Sequence, residues 1–156
     1  MSRRKARILA VQALYSYEIG GADLDSLLTL DWVDQPQLEF GKADESGVNE
    51  DERSTEKFDF ARILIAGTIN HIKEIDSAIK CHLSERWDFN RVNKVSIAIL
   101  RVGVFSLMYQ REDIAPTIVI DEAIGIAKEY GADDSFKFIN AVLDNIRKDL
   151  EVEEQK

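Results

Sequence analysis

Residues 95–107 read VSIAILRVGVFSL, and only Ser96, Arg101 and Ser106 in this stretch carry a polar side chain. A run this apolar has no face to offer to water, so it predicts a helix buried on all sides at the centre of a bundle. Arg101 falls inside the run, and a guanidinium there needs a carboxylate to be tolerated. Glu122 or Asp121 on the following helix is the expected partner, in a structural ion pair with Glu122 as the first choice.

Helical periodicity extends outward from this segment in both directions. Upstream, Ser54 or Thr55 opens a long helix whose predicted stripe is Phe58, Ala61, Ile65, Ile69, Ile72, Ile75, Ile79 and Leu83. Downstream, Pro116 starts a helix with Ile120, Ala123, Ile124 and Ala127 inward, and Gly131 stops it. Asp133, Asp134 and Ser135 offer caps for a last helix carrying Ile139, Val142, Leu143, Ile146 and Leu150. At the N-terminus Ser2 caps a helix with Ile8, Val11, Tyr15 and Ile19 on one stripe, and Gly20-Gly21 ends it. Asp23 then caps a short helix with Leu24, Leu27 and Leu28. No segment alternates as a strand does. The expectation is an all-α, compact single-domain bundle of about six to seven helices over 1–150, followed by a charged, frayed tail over 151–156.

Between the second and third helices the periodicity vanishes. Residues 31–59 hold ten acidic against three basic residues, together with Gln35-Pro36, Gly41 and Gly47. The stretch 31–57 therefore predicts a long, acidic, solvated and mobile loop inserted after the second helix. It accounts for most of the formal net charge of -9, so the overall charge says little about any other surface. The single cysteine, Cys81, excludes an internal disulfide and suits a reducing cytoplasm. No apolar run is long enough to span a bilayer, and no hydrophobic signal segment follows the basic start, so export is not expected.

Enzymatic signatures are missing. There is no glycine-rich phosphate loop, no G-x-S-x-G and no H-E-x-x-H. His71, Cys81 and His82 are the only residues that suggest a soft metal site, and no second pair completes a tetrahedron. Neither a metal nor a cofactor is expected.

Two features point to RNA instead. Arg3, Arg4, Lys5 and Arg7 put cations in the first turns of a helix, where they oppose the macrodipole. Such a cluster beside a helix N-terminus makes an anion-binding surface; the competing reading is a solubilising frayed end. Phe138 falls about 100° from Ile139 on a helical wheel, outside the core stripe, with Asp134 on its side and Lys137 adjacent. An aromatic on a polar flank suits base stacking; the competing reading is packing under a neighbouring helix.

The same positions carry a family resemblance. Arg7-x-x-Ala10-Val11-Gln12-Ala13-Leu14-Tyr15, Trp87 to Arg101 (WDFNRVNKVSIAILR), Ile120-Asp121-Glu122-Ala123-x-x-Ile126-Ala127-Lys128 and Tyr130 to Asp144 resemble the blocks of the NusB family, in the same order. The resemblance covers most of the chain outside 31–57. It implies a transcription antitermination factor that binds the boxA element of nascent ribosomal RNA together with NusE, a small ribosomal subunit protein. With the other Nus factors, the pair would help RNA polymerase read through terminators. Carried over by position, Arg3, Arg4 and Arg7 would contact phosphates, and Tyr15, Asp134, Lys137 and Phe138 would lie at or near the RNA. The helical wheel disagrees for Tyr15 and puts its ring on the core stripe. The chain departs from the family pattern at Ser96, Ser106 and Ala141 and in the length of its acidic segment.

The alternative is a helical protein-interaction module without direct RNA affinity, in which the acidic loop does the binding. A further relative of the family fuses the same helical domain to an RNA methyltransferase, but these 156 residues contain no such domain.

Overall fold

The computed structural model describes residues 2–33 and 58–154. The acidic loop expected over 31–57 and the end of the tail lie largely outside the described residues. Within them the chain is helical, with no strand: α1 (Arg3–Gly20), α2 (Leu24–Thr29), α3 (Asp59–Asn70), α4 (Ile72–His82), α5 (Lys94–Tyr109), α6 (Pro116–Tyr130) and α7 (Ser135–Glu154), with a 3-10 turn at Phe89–Arg91 before α5.

The apolar run is α5, and every residue from Ser96 to Leu107 is buried. The helix starts where Asn93 Oδ1 accepts from the amides of Val95 and Ser96, a cap that stabilises by about 1 kcal/mol. Five helices, α1, α3, α4, α6 and α7, pack around it. Pro116 stands in the first turn of α6 and Gly131 at its C-cap, as the sequence predicts. Ser2 and Asp23 cap α1 and α2 through the amides of Lys5 and Ser26. Gly21 ends α1 with φ 66, a conformation that glycine adopts without steric cost.

Four expectations are corrected. The predicted long helix over 58–83 is two helices, broken at His71 (φ -114, ψ 21); its expected opening at Ser54 or Thr55 lies outside the described residues. Close to the break, the ring of Phe105 fills the space beside Gly67, and a Cβ there would stand 2.1 Å from Phe105 Cζ. The buried residues are Ala61, Leu64, Ile65 and Thr68 before the corner and Ile75 and Ile79 after it. Secondly, α1 buries Ala6, Leu9, Ala10, Ala13 and Leu14, whereas Tyr15 and Ile19, on the predicted stripe, are 38% and 57% exposed. The alanines let α1 approach α5 and α3 closely; of the predicted stripe Val11 is buried and Ile8 packs on the core, while Tyr15 and Ile19 are left at the edge.

Thirdly, Arg101 does not pair with Glu122 or Asp121. Its Nε and Nη2 donate to the two carboxylate oxygens of Asp76 on α4 at 2.8 and 2.9 Å, and its Nη1 donates to Glu18 on α1 at 2.9 Å. Burial lowers the guanidinium pKa, but the bonds to Asp76 and Glu18 outweigh it and raise the value above the ordinary one. Finally, α7 does not stop at Leu150, where the tail is expected to begin. It continues to Glu154, where Arg111 Nη2 meets Glu154 Oε2 at 3.0 Å. Among the described residues no helix is long and apolar enough to cross a membrane.

Candidate nucleic-acid interface

The Arg4 side chain on α1 reaches Glu129 on α6, and α6 packs on α7, so the start of α1, the end of α6 and the start of α7 stand near one another, while Tyr15 lies toward the far end of α1. Helix α7 begins four residues beyond α6. Arg3 and Arg4 are both exposed. The Arg3 guanidinium lies over the ring of Phe60, 5.1 Å from its centroid. Arg4 Nη2 reaches Glu129 Oε2 at 3.0 Å, with both side chains about half exposed. Burial and the Glu129 carboxylate raise the pKa of the neighbouring Tyr130 hydroxyl, and Arg4 opposes them.

Arg7 departs from its predicted role. It is 6% exposed, with its guanidinium over the same ring of Phe60, 5.5 Å from the centroid. Burial lowers its pKa, while the charge of Glu122 raises it. The carboxylate expected beside Arg101 thus lies near Arg7. Neither Arg7 Nη2 nor Glu122 Oε2 has a hydrogen-bond partner among the described residues, so the two charges act on each other without a direct bond at those atoms. From this position Arg7 acts on packing and does not present its charge at the surface.

Tyr15 is exposed and lies on the same side of α1 as Arg4, since eleven residues make just over three full helical turns, a span of about 16 Å. At the start of α7, Asp134 adopts φ 64. Its carboxylate lies 3.8 Å from Lys137 Nζ, with both side chains more than two-thirds exposed. The Asp134 carbonyl accepts from the Lys137 amide at 3.1 Å. Lys128 and Lys137 both approach the ring of half-buried Phe136, at 4.9 and 6.0 Å from its centroid. Phe138 is half-buried and packs against the core. Its ring meets Trp87 at a centroid distance of 5.0 Å and an interplanar angle of 40°.

Trp87 and Lys128 belong to this surface and were not predicted as site residues. Lys128 stands in the last turn of α6, and nothing in its helical position alone marks it as part of a site. Trp87 lies in the irregular segment between α4 and α5, where no periodicity assigns a face, and only its contact with Phe138 places it.

Comparisons with known proteins agree with this architecture. A family model described as the NusB family matches residues 4–148. Transcription antitermination protein NusB of Treponema denticola is 44% identical over 147 residues, covering 94% of this chain and 96% of that protein. Its counterpart in Treponema pallidum (strain Nichols) is 42% identical over 148 residues, covering 95% and 94%. Among solved structures, T. maritima NusB superposes with a TM-score of 0.73 at 32% identity, covering 95% of this chain and 92% of that one. A structure of antitermination factors NusB and NusE in complex with dsRNA superposes with a TM-score of 0.72 at 27% identity, covering 94% and 96%. With its helices, its order of blocks and its near full-length relatives in agreement, the chain belongs to the NusB family.

Proposed function

We propose that this protein is a transcription antitermination factor that binds boxA-type single-stranded RNA jointly with NusE and helps RNA polymerase, with the other Nus factors, read through terminators. It acts in the cytoplasm as a binding protein and catalyses no reaction. What supports the reading is that exposed Arg3 and Arg4 stand at the start of α1, with Arg4 reaching Glu129 near the end of α6, while exposed Lys128 and Lys137 flank the ring of Phe136 and Phe138 meets Trp87 at the start of α7. Cations hold phosphates and release counterions, while rings supply stacking surfaces. A relative in this family is known in a complex with NusE and dsRNA, which supports both partners as classes.

The test is a titration of fluorescently labelled boxA-type RNA with this protein, alone and with NusE, at two salt concentrations. The reading expects salt-sensitive binding that NusE strengthens. If no RNA binding appears with or without NusE, while NusE itself still binds, the chain is a protein-interaction module.

A further inference from the structure

We infer that Trp87 forms the outer wall of a nucleobase site, in which a base of bound single-stranded RNA stacks on the indole beside Phe138. This rests on the RNA-binding reading above and extends the surface past α7.

Trp87 is 52% exposed, although it is large and apolar. The chain around it is fixed. Its amide donates to the Ser84 carbonyl at 2.9 Å, closing a turn. Immediately after it, Asp88 Oδ1 caps the 3-10 turn by accepting from the Asn90 amide at 3.0 Å, and Val92 is buried. The backbone that carries the indole is thus held in a turn, and the indole itself rests against Phe138, which lowers the ordering cost of binding.

Beside the indole is an open cavity of about 380 Å³, lined by Lys80, Leu83, Ser84, Trp87, Phe89 and Asn90, with Glu85 and Asp88 also in its wall. That volume is in the range of small-ligand sites. The wall combines rings and an aliphatic chain with a hydroxyl and a carboxamide, which can meet the face and the edge of a base. Lys80 Nζ is committed to the ring of Phe89, 4.9 Å from its centroid. A phosphate here would meet Glu85 and Asp88, so the occupant is the uncharged base and not the backbone. The backbone would run outside, toward Lys137. Trp87, which lines the cavity and also meets Phe138, joins it to the candidate interface.

The chain has two tryptophans, so Trp32→Phe leaves Trp87 as the sole indole emitter. Adding single-stranded boxA-type RNA to this variant should quench its emission along the same curve that anisotropy of the labelled RNA reports. Trp87→Ala should weaken binding by roughly five- to a hundredfold, the range of one lost base–aromatic stack, with helical content and Tm unchanged. Trp87→Phe should recover most of the loss. An RNA series carrying one abasic residue at each position should show a position whose effect disappears in Trp87→Ala. If RNA binds but emission does not change and Trp87→Ala binds like the parent, the nucleobase site is overturned while the RNA-binding reading stands. If the parent binds no RNA, both fall.

Discussion

Arg4 Nη2 lies 3.0 Å from Glu129 Oε2, so one of the two exposed arginines at the start of α1 is already answered by a carboxylate of α6. An RNA phosphate reaching Arg4 has to compete with that carboxylate. The pair is half exposed, and such pairs are worth only about 0.2–1 kcal/mol, so the competition is mild and easily reversed.

Glu129→Gln should therefore strengthen RNA binding by roughly 1.4- to fivefold at low salt, the conversion of that range. The gain should shrink as salt screens the charges and disappear in an Arg4→Ala background. Equal gains with and without Arg4 would show that Glu129 repels RNA generally and does not mask this arginine. The measurement is anisotropy of labelled RNA across a salt series.

Asp134→Asn tests the second such pair. Removing the carboxylate frees Lys137, 3.8 Å away, and takes a negative charge from the start of α7. Asp134 has φ 64, a left-handed conformation that asparagine tolerates at least as well as aspartate, so Tm should hardly move. Titration should show tighter RNA binding. Weaker binding with an unchanged melt would mean that Asp134 accepts a hydrogen bond from a base.

Asp76→Ala should destabilise the fold by about 3 kcal/mol or more, the usual cost of breaking a buried ion pair. It removes two of the three bonds to a guanidinium whose side chain is 5% exposed. Chemical denaturation measures it. A loss below about 1 kcal/mol would mean that Glu18 alone can hold Arg101. The corresponding loss from Glu122→Gln would report on Arg7 and not on Arg101.

Acid stability follows from the same cluster. The hydrogen bond from Arg101 holds Glu18 below the ordinary carboxyl value of 4.5. The folded state therefore favours the carboxylate, and the associated stability is complete above pH 4.5 and lost as the pH falls through the lower folded value. Glu18→Gln should be less stable than the parent at pH 7, with the gap closing below pH 4.5. Thermal melts from pH 7 to pH 3 would show it; a gap independent of pH would exclude titration of Glu18 as the cause.

Most of the fold was legible because capping and periodicity are local. Pro116, Gly131 and the apolar run over 95–107 define α5 and α6 without any knowledge of their neighbours, and the structure adds the Asn93 cap. The failures required tertiary information. The break at His71 lies beside the place where Phe105 packs on Gly67, and α1 turns its alanines inward because close helix approach outweighs the burial of Tyr15 and Ile19. The partner of Arg101 was sought on the next helix in sequence, but α4 and α1 supply Asp76 and Glu18. In the candidate site, Arg3, Arg4, Lys137 and Phe138 were readable as charge and wheel position. The burial of Arg7 and the contact of Trp87 with Phe138 depend on how the helices pack.

The central claim is that this end of the bundle holds RNA phosphates, and the salt dependence of binding tests it most directly. The slope of log affinity against log salt should be compared between the parent and Arg3→Ala/Arg4→Ala, with the same boxA-type RNA and NusE present in both. Each phosphate contact to a single strand contributes about 0.7 to that slope, and with Arg7 buried only two contacts are available from these arginines. The account predicts a slope shallower by about 1.4 in the double variant, with an unchanged melt. An identical slope and affinity in the two proteins would contradict it, and would move the RNA to another face of the molecule.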